Sequence, residues 1–317
     1  MKVVVTGGLG FIGVALARRL LAREDLEGLV LLDAPGAADP PADVAGRAEI
    51  VRGDIRDSDL VRTILDRDDV AVFHLAAVVS AQGEQDFDLA LTVNLDGSRN
   101  VLEACRALGS RPRLVFASTL AAFGGGAMPE TVSDTTKPTP QTTYGTTKAM
   151  CELLVNDYTR RGFVDGRTAR LPTVIIRPGA PNQAASAFAS AVFREPLAGR
   201  DYALPVGLET RIPVIGARTV VECLIRLYEA DGEALGDDRA LNLPSISVTV
   251  GEMVESLRRV AGDRTIGAIE IRPDPEIERI VRTWPLYASA ERARALGLPQ
   301  DRALDDIVRA YLADVLA

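Results

Sequence analysis

Hydrophobic and polar positions follow two alternating periods along this chain. Short apolar runs rich in β-branched residues predict buried strands, and apolar residues three or four positions apart predict helices. The predicted strands lie near residues 2–6, 29–33, 48–52, 70–75, 113–118 and 173–177. The predicted helices lie near residues 11–23, 57–66, 86–108 and 144–161. Because strands and helices alternate, the pattern predicts an α/β fold with a doubly wound parallel sheet.

A glycine-rich turn separates the first predicted strand from the first predicted helix. It reads Thr6-Gly7-Gly8-Leu9-Gly10-Phe11-Ile12-Gly13. Glycines here let the chain turn sharply, approach a pyrophosphate and pack the helix closely on the strand. The amides at the start of the helix then face the phosphates. We therefore predict a dinucleotide site, with cofactor contacts from Gly7, Gly10, Phe11, Ile12 and Gly13.

The second predicted strand ends in Asp33, twenty residues after Gly13. A carboxylate at this spacing is placed to meet the adenosine ribose hydroxyls of a dinucleotide. Asp33 would repel a 2′-phosphate, and no Arg or Lys follows it closely, so NAD is favoured over NADP. The alternative interpretation is a surface aspartate at the end of a strand.

Tyr144 and Lys148 lie four residues apart at the start of a predicted helix, so they share one helix face. A free tyrosine has a pKa of about 10, and a neighbouring ammonium favours the phenolate, as general acid/base catalysis requires. A hydroxyl of Ser118 or Thr119, where a strand ends, would hold the substrate oxygen near the phenol. The alternative is a half-buried ring beside a solvated amine. The upstream glycine turn favours the catalytic interpretation.

Composition and charge narrow the classes of partner. The net charge of −8 and the pI near 5.0 argue against nucleic acid or an anionic membrane as a partner. The apolar runs are too short to span a bilayer, and a strand beginning at residue 2 leaves no room for a signal peptide, so we expect a cytoplasmic protein. With His74 as the sole histidine and the cysteines (Cys105, Cys151, Cys223) far apart, we expect no metal site.

The regular alternation of predicted strands and helices ends at about residue 178, and after it prolines separate short elements. We predict an NAD-binding domain over residues 1–178, with a return of about 213–245, and a substrate lobe over 179–212 and 246–317. Arg211, in a proline-bounded loop, suits a carboxylate substrate, although a surface ion pair is an equal alternative. Ser80 and Asn182 are weaker candidates for binding its hydroxyls.

The helices predicted at 86–108 and 144–161 carry apolar residues on more than one face, which predicts a homodimer.

These motifs together resemble those of the extended short-chain dehydrogenases/reductases, the NAD-dependent epimerase/dehydratase group. The resemblance is carried by Thr6–Gly13, Asp33, Gly53-Asp54-Ile55, His74-Leu75-Ala76-Ala77, Asn94, Ser118-Thr119, Tyr144/Lys148 and Arg177-Pro178-Gly179. It implies a Rossmann fold, catalysis by Thr119, Tyr144 and Lys148, and helix pairing in a dimer. It also implies further cofactor contacts from Asp54, Ile55, Leu75, Ala76, Ala77, Asn94, Tyr144, Lys148 and Pro172, with Lys148 reaching the nicotinamide ribose.

Within this group, the segments 133–136, 140–145, 153–158 and 162–167 resemble those of members that oxidise C2 of a four-carbon sugar acid with NAD. The resemblance therefore implies a dehydrogenase acting on a small hydroxy acid. A nucleotide-sugar epimerase or reductase would use the same three residues, but it needs a diphosphate site and a slot for the base. A non-catalytic NAD-sensing protein is a further alternative, although it would have no use for Tyr144 and Lys148 together.

Overall fold

The computed structural model of the chain describes residues 1–179 and 185–315. It divides into two compact units. The first comprises Met1–Thr119, Thr142–Arg170 and Cys223–Leu241, and the second comprises Leu120–Gln141, Leu171–Glu222 and Asn242–Ala317.

The strands are, in chain order, β1 (Lys2–Thr6), β2 (Gly28–Asp33), β3 (Glu49–Arg52), β4 (Val70–His74), β5 (Arg113–Thr119), β6 (Thr131–Val132), β7 (Asp165–Leu171), β8 (Thr173–Ile175), β9 (Tyr202–Leu204), β10 (Arg211–Gly216), β11 (Ala240–Asn242), β12 (Ile246–Thr249), β13 (Ile269–Ile271) and β14 (Tyr287–Ala288). The α-helices are α1 (Phe11–Leu20), α2 (Ser58–Ile64), α3 (Ser80–Gln85), α4 (Phe87–Ala90), α5 (Gly97–Leu108), α6 (Thr143–Arg160), α7 (Phe188–Leu197), α8 (Ala217–Glu229), α9 (Val250–Ala261), α10 (Pro275–Val281), α11 (Glu291–Ala295) and α12 (Leu304–Val315).

A seven-stranded sheet in the order β11-β7-β5-β4-β1-β2-β3 forms the centre of the first unit. β1 pairs in parallel with β2 and β4, and β2–β3 and β4–β5 are also parallel. The apolar run Val3–Val5 is fully buried in the central strand. The predicted α/β fold with a parallel sheet is confirmed. Because the strands run in one direction, their carboxyl ends form one edge, where ligands bind in such sheets.

The second unit contains three smaller sheets, β12-β10-β8, β13-β9 and β14-β6. Its core includes Phe188 and Phe193 of α7, Ile212 of β10 and Leu257 of α9, all buried. No helix in residues 1–179 and 185–315 is long and apolar enough to cross a membrane.

Two predicted elements differ from those observed. The helix predicted at 86–108 consists of α4, a π-helical segment Leu91–Asp96 and α5. The strand predicted at 173–177 is the short β8 of a smaller sheet, whereas β7 is the neighbour of β5 in the central sheet. The hydrophobic pattern missed β7 because this strand buries Arg167 and Arg170 among its residues.

Candidate active site

The glycine turn between β1 and α1 forms a cradle that side chains would fill. Gly7 has a φ of +68°, and a Cβ there would lie 2.8 Å from the amide nitrogen of Ala76. A Cβ at Gly13 would overlap the carbonyl oxygen of Gly7. Gly10 is exposed and caps α1 without a side chain, so the first amides of this helix have no side-chain cap. This arrangement fits the pyrophosphate of a dinucleotide.

Asp33 lies at the end of β2, directly beside the glycine turn. Its Oδ2 accepts a hydrogen bond from the amide of Leu9 at 2.9 Å, and its Oδ1 accepts one from the amide of Ala34 at 2.8 Å. Each carboxylate oxygen has a second lone pair, so both remain able to accept ribose hydroxyls. The carboxylate is thus fixed where the sequence predicts the adenosine ribose.

Asp54 and Ile55 follow β3. The Arg56 guanidinium forms a bidentate pair with the Asp54 carboxylate, with its Nε at 2.9 Å from Oδ2, and it holds the pKa of that carboxyl below its usual range. The Ile55 side chain is buried, and a Cβ at Gly97 would lie 2.6 Å from it. Asp54 is therefore oriented at the strand end by Arg56, and Ile55 packs against α5.

The residues after β4 are tied to β1. The amide of Leu75 donates to the carbonyl oxygen of Thr6 at 3.0 Å, and the amide of Ala76 donates to the Thr6 hydroxyl at 3.3 Å. The Thr6 hydroxyl also lies 2.6 Å from Nδ1 of His74, a buried residue whose Nε2 lies 2.8 Å from the Ser98 hydroxyl. Burial lowers the pKa of His74 to about 3, so this residue is neutral at physiological pH. The 75–77 segment is thereby held against the glycine turn.

Asn94 of the π-helical segment is buried and connects two parts of the site. Its Oδ1 accepts from the amide of Val78 at 2.7 Å, and its Nδ2 donates to the Val78 carbonyl oxygen and to the Thr147 hydroxyl, at 3.1 and 3.2 Å. The side-chain amide therefore bonds to protein groups after β4 and on α6. These bonds tie the segment after β4 to the π-helical segment and to α6, and the predicted cofactor contact of Asn94 stays a prediction.

The three predicted catalytic residues lie together in the first unit. Thr119 ends β5, and α6 begins at Thr143, where Thr142 caps it by accepting from the Gly145 amide at 3.1 Å. The Thr119 side chain is hydrogen-bonded to that of Tyr144. Lys148 is buried, and its Nζ lies 5.9 Å from the centre of the Tyr144 ring.

Burial dominates the proton affinities of this group. It raises the pKa of the Tyr144 phenol to about 12, although the Thr119 hydrogen bond acts in the opposite direction. It also lowers the pKa of Lys148 to about 8, opposed by the carboxylate of Glu152. The sequence predicts that Lys148 lowers the phenol pKa. In the structure, burial raises the phenol pKa, and the Lys148 ammonium donates to the carbonyl oxygen of Ala117 at 2.8 Å.

The predicted substrate contacts are distributed between the units. Ser80 begins α3 in the first unit and is partly buried. Arg211 begins β10 in the second unit, where its Nη1 donates to the Ser247 carbonyl oxygen at 3.0 Å and its guanidinium lies 5.6 Å from the Tyr287 ring centre. Pro172, the predicted cofactor contact of that unit, is buried. Asn182 lies outside the described residues.

A buried ion pair lies beside the predicted catalytic residues, and the sequence did not predict it. Glu152 of α6 and Arg170 of β7 are joined by Nη2–Oε2 and Nε–Oε2 contacts of 2.7 and 3.0 Å, and the Ser118 hydroxyl donates to the same carboxylate. The available signal was the spacing, because Glu152 lies one helical turn beyond Lys148, as Lys148 lies one turn beyond Tyr144.

No group of His, Cys, Asp and Glu side chains in the described part of the chain is arranged to hold a metal ion.

The model of the NAD dependent epimerase/dehydratase family matches residues 3–241. The chain is 48% identical to a D-erythronate dehydrogenase of Cupriavidus necator, covering 99% of this chain and 98% of the relative. It is 42% identical to a D-erythronate dehydrogenase of Haemophilus influenzae, covering 98% and 99%. The chain therefore belongs to the NAD dependent epimerase/dehydratase family, and it is an NAD-dependent oxidoreductase that acts on a CH–OH group.

Solved structures with the same fold carry different activities in their names. A nucleoside-diphosphate-sugar epimerase from Agrobacterium tumefaciens superposes with a TM-score of 0.91 at 37% identity, covering 100% of this chain and 94% of that one. A GalE-like L-threonine dehydrogenase from Cupriavidus necator, in its holo form, gives 0.89 at 25% identity, covering 99% and 100%. The predicted family and the predicted cofactor, NAD, are both confirmed.

Proposed function

We propose that this protein oxidises the C2 hydroxyl of D-erythronate to give 2-dehydro-D-erythronate, with NAD as the hydride acceptor. The observation that carries the proposal is the similarity, over nearly the whole chain, to D-erythronate dehydrogenases of two bacteria. The hydrogen bond between Thr119 and Tyr144, with buried Lys148 nearby, supports a proton-transfer site on the first unit.

In this mechanism Tyr144 is the base that removes the proton from the C2 hydroxyl. Thr119, hydrogen-bonded to the phenol, orients the substrate oxygen toward it. Burial raises the pKa of the Tyr144 phenol to about 12, so this role requires that pKa to fall when the site is loaded. The positive charges of Lys148 and, when bound, of the nicotinamide would both act in that direction. NAD, when bound, supplies the cationic nicotinamide that accepts the hydride from C2. The products are the ketone at C2, NADH and a proton on Tyr144.

A sugar acid also needs a group that recognises its carboxylate. We assign this role to Arg211, because a guanidinium binds a carboxylate through two parallel hydrogen bonds. Its Nη2 lies 3.7 Å from the half-exposed Glu252 carboxylate, beyond hydrogen-bond distance, so the guanidinium keeps donors for a ligand. Ser80 and Asn182 are proposed to bind the remaining hydroxyls.

A second candidate is a nucleotide-sugar epimerase, which the Agrobacterium tumefaciens structure favours through its name and its 37% identity. An epimerase would return the hydride to the same substrate and release no NADH. The substrate distinguishes the two candidates as well, since an epimerase must bind a nucleoside diphosphate.

The test is a substrate panel with purified protein and NAD, in which NADH formation is followed by its absorbance. D-erythronate, D-threonate, L-threonine and UDP-glucose are supplied in parallel, and the UDP-glucose reaction is also analysed for UDP-galactose. The proposal predicts NADH formation with D-erythronate and no epimerised sugar. Epimerised sugar without NADH formation from either acid would replace it with the second candidate.

We further propose that the protein is a homodimer in the cytoplasm. Phe87 of α4 and Met150 and Leu153 of α6 are apolar and exposed on the first unit, Leu153 at 70%, which supports pairing through these helices. Cys105, Cys151 and Cys223 are buried and in the reduced thiol form, which supports a reducing compartment.

A further inference from the structure

Three consecutive residues at the end of β5 are each hydrogen-bonded to a residue of α6. The pairs are Ala117 with Lys148, Ser118 with Glu152, and Thr119 with Tyr144. The three helix residues are spaced four apart, so they lie on one face of α6. We call this set of pairs the strand–helix ladder. Two of its three rungs contain residues assigned to catalysis above, and the rung of Ser118 and Glu152 has no assigned role.

The unassigned rung is buried and fully paired. Glu152 is 3% exposed, and its carboxylate accepts from the Ser118 hydroxyl and from Nε and Nη2 of Arg170. Arg170 is also 3% exposed. Both charges are thus removed from water and neutralise each other, while the Ser118 hydroxyl bonds to the same carboxylate.

Stability alone gives a poor account of this ion pair. A buried salt bridge loses in desolvation much of what it gains in attraction, and apolar residues of similar volume often replace one without loss of stability. A bidentate pair does fix geometry, because the planar guanidinium and the carboxylate have a defined relative orientation. The position it fixes here is that of Ser118, the residue directly before Thr119.

We propose that Glu152 and Arg170 are positioning residues for the reaction. Acting through Ser118, they hold the end of β5 at the position along α6 where the Thr119 hydroxyl meets the Tyr144 phenol. The inference rests on the proposed roles of Thr119 and Tyr144. A displacement of about 1 Å at a reacting group can lower the rate by about 100-fold. The position of the end of β5 relative to α6 therefore affects turnover more than cofactor binding.

The experiment compares Ser118→Ala and Glu152→Gln with wild type. Ser118→Ala removes the rung and leaves the Glu152–Arg170 pair intact, so it tests the inference even if Glu152→Gln fails to fold. The expected result is a fall in kcat of about tenfold or more for each variant, with the Kd for NADH, measured by fluorescence, within about twofold of wild type. In the double variant the two losses should combine to less than their product, because both break one rung.

The matched control is Tyr158→Phe. Tyr158 also lies on α6 and also donates its hydroxyl to a glutamate, Glu103, but this bond is only partly buried and lies beyond the ladder. We expect this variant to keep wild-type kcat. A similar fall in kcat for Tyr158→Phe would attribute the effect to general loosening of α6 and would overturn the inference.

The assay uses whichever substrate of the panel wild type converts, so a wrong substrate assignment does not affect it. A kcat within twofold of wild type for Ser118→Ala would overturn the positioning role and leave the proposed function standing. A loss of kcat matched by an equal loss of NADH affinity would also overturn it, because the rung would then support the cofactor site.

Discussion

Lys148 donates a hydrogen bond to the carbonyl oxygen of Ala117 at 2.8 Å, so its ammonium is held by the end of β5 and not by the Tyr144 phenol. The same ammonium lies 4.6 Å from the centre of the Phe116 ring. A buried cation with one hydrogen-bonded partner and one aromatic face is incompletely solvated, which is why its pKa falls to about 8. Lys148 is therefore both a proposed catalytic residue and a buried charge that affects the stability of the fold.

Lys148 should make the stability of the protein depend on pH in a defined window. Its pKa is about 8 when folded and 10.5 in the unfolded reference, so the unfolded chain binds the extra proton between these values. Above about pH 10.5 Lys148 is neutral in both the folded and the unfolded state, and its burial costs no charge. As the pH falls to 8, protonation of Lys148 in the unfolded chain increasingly favours unfolding, so the protein loses stability. The free energy of unfolding of wild type relative to Lys148→Met should rise by about 3 kcal/mol between pH 8 and 10.5.

Chemical denaturation of both proteins across this pH range measures the difference. The Tyr144 phenol titrates in both proteins, and its contribution largely cancels in the comparison. A difference that stays constant with pH would mean that Lys148 is solvated in the folded state.

Tyr144→Phe should abolish most turnover without affecting cofactor binding. The variant keeps the ring and loses the proton acceptor, so kcat should fall by about 1,000-fold, while the Kd for NADH stays within about twofold. Initial rates and NADH fluorescence provide the two measurements. If kcat stays near the wild-type value, another group is the base.

Asp33→Ala should weaken cofactor binding and reduce the preference for NAD over NADP. Asp33 is fixed by the amides of Leu9 and Ala34, and loss of a charged acceptor for ribose hydroxyls should raise the Kd for NADH by about tenfold or more. Asp43→Ala is the control, since that exposed carboxylate pairs with Arg18 at 2.6 Å. Equal affinities for NADH in wild type and Asp33→Ala would contradict the assignment of Asp33.

Arg211→Ala should raise the KM for the acid substrate by about tenfold or more, with NADH affinity unchanged, because a carboxylate would lose a charged partner. Arg211→Lys should restore only part of this loss, since an ammonium lacks the paired donors of a guanidinium. Arg218→Ala, which breaks an exposed ion pair with Asp314 in the same unit, provides the control. An unchanged KM in Arg211→Ala would assign Arg211 to the alternative role of a surface ion-pair residue.

Leu153→Glu should convert the proposed homodimer into a monomer. Leu153 is the most exposed of the large apolar side chains on α6, and a buried unpaired carboxylate would strongly disfavour an interface there. Sedimentation velocity of wild type, Leu153→Glu and the control Leu286→Glu measures the change. A wild type that sediments as a monomer would remove the dimer proposal.

The residues that could be identified from the sequence are those whose geometry is local. The conformation of the glycine turn follows from its own residues, because Gly7 takes a φ of +68° and Gly13 has no room for a Cβ. Tyr144 and Lys148 share a helix face by spacing alone. Each of these predictions depends on fewer than ten consecutive residues, so distant parts of the chain did not have to be known.

The features that could not be predicted depend on contacts between distant residues. Arg170 is polar in sequence, and only its pairing with Glu152, eighteen residues away, makes it a core residue of β7. The elevated pKa of Tyr144 arises from burial, which the spacing to Lys148 does not reveal. The interruption of the 86–108 helix by a π-helical segment likewise accompanies the bonds of Asn94 to Val78 and Thr147.

The most direct test of the proposed activity follows the hydrogen at C2. D-erythronate carrying deuterium at C2 is incubated with the protein and NAD, and the reduced cofactor is examined by NMR. The account predicts deuterium at C4 of the nicotinamide and a ketone at C2 of the acid. Deuterium that stays on the acid, or reduced cofactor without deuterium, would contradict oxidation at C2.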